Sequence, residues 1–423
     1  MKHYFLIPAV LAMAIVLAGC ETIQEPSDQV AKVQTNNTST RGSEICDRPY
    51  SLSEVIRIAD NTLSVTPSTS PRKLVEPVLL NDNTLSSQIL SDTVAYIVNY
   101  GQEDGFVIVA NDSRLPDPIA YNTKGHFDST NPFVKAAFLD RIETYLASLD
   151  SGQTQSQQNA KSATSPVRHF IIEPQINLPL GIIHTFNDKI KEAHPDHFVS
   201  SGCIAMATLL THCKDTLVYH NFYYDFSKCA NDVRNLFGKS SINQNELNYT
   251  KPDNPPTPVN PPKPGYFYFL DGISAYNQLL YNLGEDSNTD YQTFEYASVT
   301  SLFQTYGLLN QLDCKLSNLS VSTDIRDIIS LLNDEYVVEM WGFLVDSDGK
   351  RPDPVDKAEL LEAPFTWIVD GCDVLFDSDG NPLDGMLHCV WGWYGSCDGY
   401  YSFPVFMEYD PYRFKIICHW GVK

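Results

Sequence analysis

Several features that would send a reading elsewhere are scarce or missing in this chain of 423 residues. No Cys-x-x-Cys pair occurs, and no pair of histidines stands at metal-ligand spacing near a cysteine, which argues against a structural zinc site. Basic side chains are few: 29 Lys and Arg against 52 Asp and Glu leave a net charge of −23. A chain this acidic repels phosphate backbones and anionic lipid, so no nucleic-acid partner is expected, and membrane attachment has to be covalent or hydrophobic. Calcium loops fail as well. Asp346-Ser347-Asp348-Gly349 and Asp377-Ser378-Asp379-Gly380 have the opening pattern, but the twelfth position from Asp377 is His388 and Asp346 is followed too soon by Lys350. Both read as hairpin turns, and no metal is expected. What is present is a globular composition, 43% hydrophobic and 12% aromatic, long enough for two domains.

The only early apolar run is Phe5 to Leu17, preceded by Lys2. It is too short to span a bilayer comfortably and has the build of a signal peptide. It ends in Leu17-Ala18-Gly19-Cys20, which resembles a bacterial lipobox. Residues 1–20 are thus expected to be a lipoprotein signal, with Cys20 acylated and the chain lipid-anchored on the outer side of a bacterial membrane. Residues 21–49 are polar and read as a tether. Nine cysteines remain beyond Cys20, an odd number, and an exported protein permits disulfides without the sequence choosing among them.

Residues 50–149 have the signals of a small α+β domain. Ser51 to Ala59 has helix-start character, with Ser51 and Ser53 before Glu54. Ala95 to Tyr100 and Gly105 to Ala110 are β-rich runs joined by Gly101-Gln102-Glu103-Asp104, a hairpin. A strand and turn follow over Pro118 to Gly125, then a periodic helix over Phe133 to Leu149. Residues 150–166 are a polar linker, and a larger domain covers 167–423, with a Pro-rich surface insertion at 251–264. In that domain a nearly all-apolar helix begins at Cys203, and strands are expected over Phe365 to Gly371, Met386 to Trp393 and Tyr400 to Phe403. Helices first and antiparallel strands last indicate an α+β fold of two subdomains with a cleft between them.

Cys203 stands at the start of its helix, where the dipole favours a thiolate and backbone N–H groups can hold an oxyanion. Gly202 lets a substrate backbone approach. Taken alone, a buried structural cysteine is the plainer reading. A second string changes the balance: Leu387-His388-Cys389-Val390-Trp391-Gly392-Trp393-Tyr394-Gly395, followed by Asp398-Gly399-Tyr400-Tyr401. Together with Gly202-Cys203-Ile204-Ala205 it resembles the streptopain family of bacterial papain-like cysteine peptidases. Residues from Tyr96-Ile97-Val98-Asn99 through Ala110-Asn111-Asp112-Ser113-Arg114 are similar to that family's prodomain. The resemblance covers roughly residues 50–423 and implies a papain-like fold, no cofactor, and a peptide or protein ligand in a cleft lined by Gly202, Trp391 and Trp393.

The resemblance also shows where the chain departs from its pattern. Papain-like hydrolysis needs a His to move the proton, an Asn to orient that His, and a Gln side chain at the oxyanion. The family's Gly-His-Ala-Trp-Val-Ile-Asp-Gly strand matches Pro364-Phe365-Thr366-Trp367-Ile368-Val369-Asp370-Gly371, so the His position holds Phe365. The Asn position holds Val390, and the Gln position, by the match of Ile182 to Asn187, holds Ile182. Three polar positions have become apolar together. The expectation is a relative that has lost peptidase activity and keeps a binding cleft. Two alternatives stand beside it: an active zymogen whose base has moved to His184, His212, His220 or His388, and an inhibitor acting through the prodomain.

Overall fold

The computed structural model describes residues 50–63, 73–79, 93–101, 104–112, 115–129, 139, 142, 146, 168–176, 188–194, 199–237, 268–269, 272–287, 290–291, 298–318, 325–344, 362–363, 365–392, 397–403 and 414–423. The signal peptide, tether, linker, Pro-rich insertion and first acidic turn of the sequence reading, with Cys20, Ile182, His184 and Trp393, lie outside them.

The N-terminal part opens with helix α1 (Leu52–Thr62), where a capping box forms: Ser51 Oγ accepts from the Glu54 N–H, and the Glu54 carboxylate accepts from the Ser51 N–H. Strands β1 (Lys73–Leu79), β2 (Thr93–Tyr100), β3 (Phe106–Ala110) and β4 (Ala120–Asn122) follow as an antiparallel meander. The predicted hairpin is β2–β3, with Ala95 opposite Ala110 and Val98 opposite Val107. Its two faces are buried separately. Val98, Tyr100, Val107 and Val109 pack on Val55 and Ala59 of α1, while Ile97, Phe106 and Ile108 join the main core. Leu139, Ile142 and Leu146, from the predicted amphipathic stretch, are buried in that core too.

The larger part begins with β5 (Arg168–Ile172), α2 (Asp188–Ala193), α3 (Ser201–Cys213), β6 (Thr216–Tyr219), β7 (Phe222–Asp225) and α4 (Phe226–Phe237). It continues with β8 (Tyr268–Phe269), α5 (Gly272–Asp286), β9 (Asp290–Tyr291), β10 (Ser298–Ser301), α6 (Leu302–Gln311) and α7 (Ile325–Asn333). The last elements are β11 (Val337–Leu344), β12 (Glu362–Ala363), β13 (Phe365–Phe376), β14 (Pro382–Val390), β15 (Gly399–Ser402) and β16 (Phe414–Val422). Helices therefore precede antiparallel strands, and the class is α+β. Strand bounds differ from those expected, most of all in β13 and β14. β13 runs on past Gly371 to Phe376 through a bulge, and β14 stops at Val390, so Trp391 lies beyond the ladder. The second acidic turn is the β13–β14 hairpin: Asp377 Oδ1 accepts from the Asp379 and Asn381 N–H groups. Among the described residues no His/Cys/Asp/Glu group is arranged to hold a metal.

The principal sheet has ten strands, in the order β1-β2-β3-β4-β15-β14-β13-β11-β16, with β5 on the second half of β13. It runs without a break from the N-terminal part into the larger one, and residues 46–423 form one compact unit. The seam is β4–β15, where Tyr121 pairs with Tyr400 and their rings stack at 5.0 Å. The Cys397 N–H donates to the His126 carbonyl, and the Asn122 amide donates to the Asp398 carbonyl. Gly399 permits this closeness: a Cβ there would stand 2.8 Å from the Tyr121 oxygen.

Candidate functional site

Ser200 sets the geometry at Cys203. It caps α3, its Oγ accepting the Cys203 backbone N–H at 3.1 Å, and its hydroxyl lies 3.1 Å from Cys203 Sγ as donor. Residues 201–210 of α3 are all buried, as the apolar run predicted, and both Gly202 and Cys203 lie in this buried stretch. The helix start is bonded to β13. The Thr366 N–H donates to Ser201 Oγ at 3.0 Å, which fixes the backbone of Phe365 one residue from that contact. Phe365 itself pairs with Gly342 of β11. Val390 is buried in the main core and pairs with Ile368. Trp391 stacks on Trp367 with ring centroids 5.7 Å apart. Just past it, Gly392 has φ +82°, and a Cβ there would stand 3.0 Å from Ile204 Cγ2, so the chain after β14 runs against the start of α3. Cys203, residue 365, Val390 and Trp391 thus come from segments that meet around one helix end.

Of the histidines in the alternative reading, His388, His212 and His220 lie among the described residues. His388 lies buried on β14, its Nδ1 2.6 Å from Asp370 Oδ1. His212 occupies the last turn of α3, nine residues from Cys203 and so roughly 13 Å along the axis. Burial lowers its pKa, against the pull of Asp370. His220, in the β6–β7 turn, lies 2.9 Å from Asp286 Oδ2.

A buried polar network beneath the site went unassigned in the sequence. Asp370 Oδ2 accepts from the Gln175 and Ile176 N–H groups at 3.0 and 2.8 Å, while Oδ1 takes His388. Asp398 Oδ1 accepts from the Trp391 N–H at 2.8 Å. Asp370, His388 and Asp398 lie within the motif segments, and Ser200 before an apolar helix marks an N-cap. Burial pulls His388 toward its neutral form, but the Asp370 charge and hydrogen bond outweigh it and leave its pKa raised. Burial pushes Asp398 up to about 7, against the Trp391 N–H and His388.

Both shifts act on stability with the same sign. Asp398 in the folded chain keeps a proton that the unfolded chain releases near pH 4, so its contribution declines as pH rises from about 4 to 7. The His388 contribution is full below about pH 6.5 and is lost as pH rises through its raised folded value. We therefore expect Asp398→Asn, which retains an acceptor for Trp391, to flatten the fall in stability between pH 4.5 and 7. The slope removed is at most ~1.4 kcal/mol per pH unit. Urea midpoints across that range measure it, and equal slopes in both proteins would remove Asp398 as a cause.

Comparison with known proteins agrees with the motifs. Residues 49–146 match the Spi protease inhibitor family. The chain is similar to streptopain of Streptococcus pyogenes, 20% identical over an alignment of 336 residues that covers 74% of each protein. A thiol protease/hemagglutinin, PrtT of Porphyromonas gingivalis, is 29% identical over 91 residues, which are 22% of this chain and 10% of that protein. Among solved structures, a fragment of Prevotella intermedia prointerpain A covers 83% of this chain and 98% of its own at 14% identity, with a TM-score of 0.42. The active interpain A cysteine protease covers 59% and 94% at 16% identity, with a TM-score of 0.34. The chain is thus a relative of streptopain-type cysteine peptidases and carries their kind of prodomain.

Proposed function

We propose that this protein is a lipid-anchored, exported relative of streptopain-type peptidases that no longer hydrolyses peptides and retains a peptide- or protein-binding cleft beside Cys203. The observation that carries this reading is Phe365 at the position of the catalytic His. A phenyl ring has no proton to exchange, and without a base a thiol near neutral pH is only a few per cent ionised. Val390 at the Asn position and Ile182 at the Gln position agree with it. Loss of the His alone would strand a polar partner, whereas replacing the whole polar set by apolar groups is nearly neutral for stability. Gly202, Trp391 and Trp393 are then cleft residues.

The test is self-processing. A zymogen with working chemistry cuts its own linker; here residues 150–166 are expected to stay intact in purified protein. Cleavage at a rate independent of protein concentration, abolished by Cys203→Ala, would overturn the reading. Anchoring is tested separately. Cys20→Ala is expected to move the protein from the membrane to the soluble fraction, and unchanged partitioning would count against lipidation.

A second reading has its own support, the match of residues 49–146 to a protease inhibitor family. On it the N-terminal part blocks an active relative in trans. Inhibition of such a peptidase by the full chain, at concentrations where the chain itself hydrolyses nothing, separates this role from simple peptide binding.

A further inference from the structure

The end of α3 remote from Cys203 carries a second thiol group. Cys213 is the last residue of α3 and is half-buried; Cys314 follows α6 after a short turn and is buried. The turn is held firmly. The Cys314 N–H donates to the Leu309 carbonyl at 3.0 Å, and Lys315 exchanges backbone hydrogen bonds with Lys423 at the end of the chain. One contact joins the two cysteine segments directly. Lys214, the residue after Cys213, donates from Nζ to the carbonyl of Asp313, the residue before Cys314, at 3.3 Å. Both side chains lie on the same apolar core. The thiols also lie within each other's electrostatic reach, and one ammonium serves both. Behind burial, the neighbouring Cys314 raises Cys213, while Lys214 pulls each of the two down.

We propose that Cys213 and Cys314 are a disulfide site that pins the Cys203 helix to the turn after α6. The oxidant is a small-molecule or protein disulfide. The Cys213 thiolate, the more accessible, attacks one donor sulfur to form a mixed disulfide and expel the first donor thiolate. The Cys314 thiolate then attacks Cys213 Sγ and expels the second. Two thiol protons leave with the donor, which is reduced by two electrons to two thiols. Burial holds Cys213 at about 12 and Cys314 at about 11, so thiolate is scarce in the folded protein at neutral pH. The bond therefore forms while the chain folds, and burial afterwards shields it from exchange. Its occurrence in the cell rests on the export reading above, because cytoplasmic thiols are kept reduced; the capacity to pair does not.

The experiment folds the purified full chain from denaturant in a buffer of oxidised and reduced glutathione, then maps peptides by mass spectrometry without reduction. The expected result is a Cys213–Cys314 peptide pair two hydrogens lighter than its separated halves. Its melting temperature should lie roughly 5–10 °C above that of the reduced protein or the Cys213→Ser/Cys314→Ser variant, as suits a bond closing a loop of about 100 residues. Recovery of either cysteine as an alkylated thiol after this treatment, or joined to a different cysteine, overturns the proposal. The pair should also be linked in protein taken directly from cells. A pair linked in vitro but reduced in cells refutes the export reading and leaves the disulfide site standing.

Discussion

Peptide substrates are expected to survive incubation with the purified protein, and to survive it equally with the Phe365→His variant. A restored imidazole needs more than its own nitrogen atoms. The backbone beside residue 365 is tied to the start of the Cys203 helix by the Thr366–Ser201 bond. On the proposed reading nothing would set its tautomer, because Val390 then occupies the position of the orienting amide. On the same reading the Gln position holds Ile182, so oxyanion stabilisation would still lack a side-chain donor, a loss that typically costs about 10²–10³ in rate. On the proposed reading the His position lies next to apolar Val390 and Ile182 positions, a setting that disfavours the charged ring, so a thiolate–imidazolium pair would be poorly populated. Phe365→His, Val390→Asn and Ile182→Gln together are the smallest set expected to give turnover. Hydrolysis of a peptide by wild type, single and triple variants, each after removal of the N-terminal part, is the measurement. Appreciable turnover by wild type or by the single variant would mean that the true base lies elsewhere.

Asp370→Ala is expected to be strongly destabilising. It strips the partner from His388 and orphans the Gln175 and Ile176 N–H groups at once. Removing one member of a buried pair costs about 3–5 kcal/mol, and each stranded donor adds about 1–3. Whole domains are stable by only about 5–15 kcal/mol, so the variant should be largely unfolded near 37 °C. Asp370→Asn should be milder, because its amide oxygen can still accept from the two backbone N–H groups while its NH₂ donates to a neutral imidazole. Urea midpoints of the two variants test this ordering. A loss below about 1 kcal/mol for Asp370→Ala would show that the network contributes little.

The parts of this architecture that were readable in the sequence are those governed by local rules. Two β-rich runs around Gly101-Gln102-Glu103-Asp104 indicate the β2–β3 hairpin, Ser51 and Ser53 before Glu54 the first helix start, and an apolar stretch the buried helix at Cys203. The continuation of β13 past Gly371 was not readable, because a glycine at a bulge looks like a strand end. The Asp370–His388 pair was not readable either. Each residue was visible within a motif, but a hydrogen bond between adjacent strands depends on register, and register is set by tertiary packing. Of the positions expected at the site, Cys203, Gly202, Val390 and Trp391 have described surroundings that can be compared with the motif reading.

The seam between β4 and β15 makes the order of folding unusual for a chain with a leading domain. Asn122 and Asp398, bonded across it, are 276 positions apart. The first part to be synthesised can form its meander early, but one edge of that meander finds its neighbour only when almost the entire polypeptide is present. Closing so long a loop precedes any reward from the contact, which slows the final step. Meanwhile β4 is an open strand edge, able to accept a strand from another molecule. A chain interrupted before residue 399 would keep that edge permanently, and self-association, more than loss of the core, would be its characteristic failure.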